Sequence, residues 1–211
     1  MLNSIIEYHR GLPITLRYEA ALLYDQAFGA KIARAIPNRL KRISLLANGF
    51  NTSFAFCAIA NGHLVGLVGF QTDQGSLTSG LHQKALQAHL GYWGGRWANR
   101  ILSWYERENT QGILLIDGMA VHPHWRGQGI GTLLLNELRD YATQQGLQAM
   151  HLNVISSNTK ARRLYERYGF VATQTHSLAY YRRWLLGFEA ATTMEFRLAS
   201  PSLVLANNFS F

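Results

Sequence analysis

From Glu19 to Ala35, Ala20, Leu23, Tyr24, Ala27, Phe28, Lys31 and Ile32 recur at three- and four-residue spacing. That period predicts a helix, and Pro37 marks its end. A short second helix is expected over Leu40–Leu46. The pattern then changes. Thr52–Ala60 is rich in Phe and small apolar residues and reads as a strand. Asn61-Gly62 suits the positive φ angles of a tight hairpin, and His63–Gln71 reads as the returning strand.

Ser76–Gln111 is the least regular part of the chain. Gly91, Gly94 and Gly95 interrupt it, and Trp97, Ile101, Trp104 and Tyr105 follow at helical spacing. This stretch, 76–111, reads as a helical insertion whose aromatic stripe covers the sheet as core, with a substrate-binding role as the alternative. Pattern returns with Ile113–Val121, an apolar run of strand length. Gly131–Gln145 predicts a helix with Leu133, Leu134, Leu138, Tyr141 and Ala142 on one face, and Gly146 closes it. Leu147–Ile155 is the next strand. Asn158 caps a helix over Thr159–Tyr168, which Gly169 ends. Phe170–His176 and Thr192–Leu198 read as closing strands. The order strand, glycine-rich turn, helix, strand, helix, strand predicts an α/β or α+β fold with helices packed on a sheet.

Composition limits the function classes. The 211 residues show no repeat, linker or low-complexity stretch, so a single domain over 1–211 is the simplest organisation. With 48% hydrophobic and 15% charged residues the chain can bury a core and is not a disordered polymer. No stretch approaches the roughly 20 apolar residues of a membrane span, and the N-terminus does not read as a secretory signal. One cysteine excludes an internal disulfide and a cysteine-rich zinc site, and Cys57 reads as a small buried hydrophobe. A cytoplasmic protein is expected, without a membrane partner. The net charge is +8, but the bases are scattered, with short pairs at Lys41-Arg42, Arg162-Arg163 and Arg182-Arg183. Nucleic acid is therefore not the expected partner. A basic nucleic-acid module centred on Gly91–Arg107 is a competing reading, which predicts steeply salt-dependent binding.

The chemistry concentrates between the predicted strand Ile113–Val121 and the helix that follows. Val121-His122-Pro123-His124-Trp125-Arg126-Gly127-Gln128-Gly129-Ile130-Gly131-Thr132 carries glycines at alternate positions and an opening arginine. Such a turn offers backbone N–H groups and a helix dipole to an anion, so Arg126–Thr132 is expected to hold a phosphate or pyrophosphate. A nucleotide triphosphatase loop would need a lysine between the last glycine and Thr132. A dinucleotide fingerprint would need Gly-x-Gly-x-x-Gly and an acid about 20 residues on. Neither condition is met. His122-x-His124 lacks a third ligand at metal-binding spacing, so no metal is expected.

WRGQGIG after AVHP resembles the acyl-CoA-binding motif of the GNAT superfamily of N-acetyltransferases, with Arg126, Gly129 and Gly131 at its defining positions. NVISSNTKARRLYERYGF resembles the superfamily's second motif through Asn158, Ala161, Leu164, Tyr165, Tyr168, Gly169 and Phe170. The resemblance covers about Ile113–Phe170. It implies a central mixed, mostly antiparallel sheet flanked by helices, with a splayed strand pair forming the acyl-CoA groove. It also implies transfer of an acetyl group from acetyl-CoA directly to a primary amine, with neither metal nor prosthetic group. Met119, Ala120 and Val121 would hold the pantetheine arm and polarise the acetyl carbonyl. Arg126, Gly127, Gln128, Gly129, Ile130, Gly131 and Thr132 would hold the pyrophosphate. Asn158 would touch the cofactor arm, although capping alone accounts for an asparagine there. Lys160, Arg162 and Arg163 are candidates for the 3′-phosphate.

Tyr165 falls on the superfamily tyrosine that faces the sulfur and would protonate the leaving thiolate; the bland alternative is a core aromatic. Asp117, the acid of its apolar strand, is the candidate base, against a structural hydrogen-bonding role. His122, His124 and His151 are further candidates with suitable intrinsic pKa. A non-catalytic acyl-CoA sensor of the same fold stays open. The tail, Pro201–Phe211, is compatible with packing on a neighbour, with supporting a homodimer or with disorder.

Overall fold

The computed structural model describes residues 5–81, 111–177 and 190–198, together with positions 86, 87, 90, 91 and 95. Among the described residues eight strands form one sheet: β1 (Ile6–Arg10), β2 (Ala55–Ala60), β3 (His63–Thr72), β4 (Gly75–Ser76), β5 (Ile113–Val121), β6 (Ala149–Ile155), β7 (Val171–Ser177) and β8 (Ala190–Arg197). Their order is β1-β2-β3-β5-β6-β8-β7, with β4 paired to β3. Every pairing is antiparallel except β5 with β6. Among the described residues the longer helices are α1 (Arg17–Ile32), α2 (Arg39–Gly49), α3 (Ile130–Gln144) and α4 (Thr159–Tyr168). The one parallel pair needs a crossover, and α3 supplies it.

Both faces of the central strands are covered, which is why β2 and β3 read as continuous apolar runs rather than as alternating ones. On β2, Phe56, Ala58 and Ala60 join the core under α3, with Leu134, Leu138 and Tyr141. Ala55 and Cys57 point the other way, into the core under α1 and α2 with Leu23, Tyr24 and Leu46. Cys57 is fully buried, and burial pushes its thiol up to about 12, so it behaves as the small hydrophobe its sequence context suggested.

The elements from Ile113 onward match the sequence pattern closely, and four particulars differ from it. Leu133 is 43% exposed; Ile130 and Leu135 complete the buried face of α3 instead. β1 is an edge strand that periodicity did not reveal, because its burial does not alternate cleanly. Lys41-Arg42 is not a surface pair. Arg42 is buried against the equally buried Asp25 of α1 and also donates to Ile36 O at 2.8 Å, so this charge ties α1 to the α1–α2 connection. The predicted helical insertion begins as β4 and a turn, 77–80, and the positions described further along, 86, 87, 90, 91 and 95, are helical. Trp97, Ile101, Trp104, Tyr105 and the tail 201–211 lie outside the described residues. No helix among the described residues is long and apolar enough to cross a membrane.

Candidate active site

β5 and β6 pair only where Ile113, Leu114 and Leu115 meet Ala149, Met150 and His151. Beyond Leu115 the two strands part. β5 stays on β3 as far as Val121, opposite Gly66, while β6 stays on β8. From Ile116 to Val121 the edge of β5 that faces β6 therefore has no strand partner among the described residues, and Met119, Ala120 and Val121 lie on it. Ala120 is buried toward α1, so it can offer only backbone to the gap.

At the open end of that gap the chain makes a 3₁₀ turn over Pro123–Trp125 and enters α3 through the glycine loop. Gly127 and Gly129 adopt φ of +78° and +82°, in the left-handed region that favours glycine, with open space where a side chain would stand. Gly131 is helical and serves a different end. A Cβ there would lie 3.2 Å from Leu164 of α4 and 3.6 Å from Met119. The first turn of α3, the free end of β5 and α4 thus meet at one point. Arg126 braces the loop by donating Nε–H to Val121 O at 3.0 Å, and the Gln128 amide donates to His124 O at 3.1 Å. Among the described residues the backbone N–H groups of Gly127 to Thr132 have no acceptor within the protein. Gly127, Gln128, Gly129 and Thr132 are exposed, whereas Ile130 is buried in the core, so its contribution to the loop is its amide.

The middle of β5 is built differently. Gly118 pairs with Gly69 and Ile116 with Phe70, which leaves Asp117 as the extra residue of a β-bulge. A bulge puts consecutive side chains on one face. A Cβ at Gly118 would lie 2.9 Å from Phe28 and 3.4 Å from Tyr24, both on α1. Asp117 faces the same way: its Oδ2 accepts from Thr78 Oγ1 at 3.0 Å, and its charge acts on Tyr24. Burial, with that charge second, holds the Tyr24 phenol well above its ordinary range.

On α4, Tyr165 is buried, with its ring edge-on to Phe170 at 5.7 Å. Burial pushes its phenol up to about 12, so it stays protonated at neutral pH. Tyr168 ties α4 to α3 by donating to Asn136 Oδ1 at 2.9 Å. Asn158 caps α4, accepting from the Ala161 amide at 3.2 Å. Arg162 pairs with Glu166, while Lys160 and Arg163 are exposed. The histidines sit elsewhere. His151 is bonded to Glu195 across β6 and β8 at 3.0 Å. His122 and His124 lie past the end of β5, their rings 5.3 Å apart. No group of three or more His, Cys, Asp and Glu among the described residues could hold a metal ion.

A strand pair that opens above a free-amide loop is the geometry the sequence motifs anticipate. Residues 33–170 match the family described as the Acetyltransferase (GNAT) family. This chain belongs to that family. Curated GNAT relatives include the uncharacterized N-acetyltransferase YhfO of Bacillus subtilis strain 168, 40% identical over 58 residues, 28% of this chain and 39% of that one. A probable spermine N(1)-acetyltransferase of Bacillus subtilis subsp. natto is 28% identical over 67 residues, 31% of this chain and 44% of that one. The chain thus spans less than half the length of these relatives. Among solved structures, one described as the crystal structure of acetyltransferase aligns with TM-score 0.60 at 17% identity, covering 92% of this chain and 100% of that chain. The ribosomal-protein-S18-alanine N-acetyltransferase from Escherichia coli aligns at 0.52 with 17% identity, covering 92% and 95%. At such identities the likeness shows the fold.

Two features of the candidate site were not read from the sequence. The bulge had a signal: Asp117-Gly118 in mid-strand, where an interior glycine often marks an irregularity. Thr78 and Tyr24 had none, since they reach Asp117 from 39 and 93 positions away.

Proposed function

We propose that this GNAT chain transfers the acetyl group of acetyl-CoA to a primary amine. The observation that carries the reading is the parting of β5 from β6 beside a loop whose amides, Gly127 to Thr132, have no acceptor among the described residues. A loop of free amides at a helix N-terminus suits a pyrophosphate, and Arg126 adds a cation. The unpaired edge of β5 at Met119, Ala120 and Val121 suits the amide groups of a pantetheine arm. Lys160 and Arg163, exposed on α4, supply cations suited to a further phosphate, whereas Asn158 and Arg162 already have partners in the protein.

Two side chains would then move protons. An ammonium must lose a proton before its nitrogen attacks the thioester carbon. Asp117, on the α1 side of β5, takes that proton directly or through water. When the tetrahedral species collapses, the C–S bond breaks and the sulfur leaves as a thiolate. Tyr165, protonated well above neutral pH, donates to it. His151, bonded to Glu195, and His122 and His124, beyond the strand end, are less well placed to serve as the base. One relative is named for spermine, but a chain of net charge +8 disfavours a polycation, so a singly charged amine is the better match.

Calorimetric titration with acetyl-CoA, with NADH as control, tests the reading first, and a thiol-release screen over primary amines follows. Micromolar binding of acetyl-CoA alone and thiol release with at least one amine are expected. Absence of acetyl-CoA binding overturns the site. Binding without turnover on any amine would make the chain an acyl-CoA sensor.

A further inference from the structure

The hairpin that follows β3 has no role in the chemistry described so far, yet its backbone is fixed with unusual care. Leu77 is fully buried; its N–H donates to Phe70 O at 3.3 Å, and its own carbonyl accepts from Asn51 N–H at 2.8 Å. The Thr78 carbonyl accepts from Leu81 N–H at 2.9 Å. Leu77 can seat there because Gly69 has no side chain: a Cβ on Gly69 would stand 2.5 Å from Leu77 Cδ2. Gly69 is also the residue paired with Gly118 at the bulge. One glycine pair therefore makes room on the β3 side for Leu77 and on the β5 side for Phe28. The residue delivered next to Leu77 is Thr78, whose hydroxyl donates to Asp117 Oδ2.

We propose that Thr78 is a positioning residue for acetyl transfer: from the segment after β4, anchored through Leu77, its hydroxyl holds the Asp117 carboxylate in one orientation on the α1 side of β5. The inference rests on Asp117 being the base. A hydroxyl that donates to a carboxylate favours the ionised form, the form that takes a proton, and it also restricts rotation of the carboxyl group. Among the described residues, α1 turns toward Asp117 the Tyr24 phenol, which burial keeps neutral, and the segment after β4 turns toward it the Thr78 hydroxyl, which does not titrate. Loss of the Thr78 donor should raise the carboxyl's proton affinity.

The test uses the full chain and the variants Thr78→Val, Thr78→Ala, Thr78→Ser and Asp117→Asn. Two quantities are read: turnover with the best amine of the thiol-release screen as a function of pH, and titration of the Asp117 carboxyl by carbon-13 NMR, its resonance assigned by its loss in Asp117→Asn. Thr78→Val should lower kcat about tenfold, the scale of a lost hydrogen bond to a charged group. The acid limb of its rate profile and the Asp117 titration should both move to higher pH, with acetyl-CoA affinity unchanged. Thr78→Ser, which keeps the donor, should stay within about twofold of wild type. Thr78→Ala is read in the same way if the valine variant does not fold. Wild-type turnover and an unmoved titration in Thr78→Val, beside an inactive Asp117→Asn, overturn the role of Thr78 alone. Wild-type turnover in Asp117→Asn overturns the base and this inference with it.

Discussion

The two stretches of β5 that the proposed function uses are made from different materials. Its C-terminal end runs into a loop whose useful groups are backbone amides, presented by glycines at left-handed φ and braced by Arg126. Its middle is a bulge whose useful group is one carboxylate, surrounded by side chains from α1 and from the hairpin after β3. A backbone site is contiguous and tolerates any side chain that leaves the φ angles alone. A side-chain site is assembled from distant positions and fails when one of them changes. On the reading proposed above, the first end binds and the second reacts, so lesions in them should separate affinity from turnover.

The largest effect is expected at the bulge. Asp117→Asn keeps the shape and removes the proton acceptor, so kcat should fall by about 10²–10³-fold with acetyl-CoA affinity unchanged. Parallel titration and steady-state assays check this, and an equal loss of affinity would erase the division between the two ends. Tyr165→Phe follows, with kcat expected to fall by about 10²-fold and thermal stability to hold, because the ring keeps its packing on Phe170. The sign of its pH dependence is fixed by burial. A phenol pushed up to about 12 remains a donor where a free one would be half ionised, so wild-type turnover should carry no Tyr165-dependent fall between about pH 9 and pH 11. A loss near pH 10 that vanishes in Tyr165→Phe would contradict the buried donor.

The loop should show the opposite signature. Gly129→Val places a β-branched side chain at φ +82°, so the loop must rearrange. The left-handed conformation costs a non-glycine residue about 1–2 kcal/mol, about tenfold in acetyl-CoA affinity, while kcat at saturation should be nearly unchanged. The smallest effect is expected at Asn158, whose carboxamide caps α4. Asn158→Ala should cost about 1 kcal/mol of stability in denaturant melts, and Asn158→Ser should restore most of it. A loss of acetyl-CoA affinity in both variants would show that this side chain belongs to the binding end as well.

The same contrast explains what could be read from the sequence. Arg126, Gly127, Gly129 and Gly131 stand side by side, and their spacing alone implied free amides at a helix N-terminus. Even so, the alternate glycines do not share one purpose: Gly131 yields to Leu164 rather than to a ligand. Asp117 was legible as the acid of an apolar strand, but its direction was not, because a strand's period of two says nothing about where a bulge resets it. Thr78 was invisible, since only the pairing of Gly69 with Gly118 brings its hairpin to β5. The helices and strands from Ile113 to Phe170 followed their periodicity because each has one buried face. β1 did not, since an edge strand with mixed burial leaves little pattern. The burial of Arg42 left no sequence signal for a similar reason: its partner, Asp25, lies 17 positions earlier, on α1.

Amide hydrogen exchange of the whole chain with and without acetyl-CoA tests most directly that the free end of β5 and the glycine loop form one binding site. Added protection is expected at Met119–Val121 and Gly127–Thr132, with the hairpin at Gly75–Leu81 unchanged. Protection confined to other elements, with the loop amides exchanging as in the free protein, would contradict it.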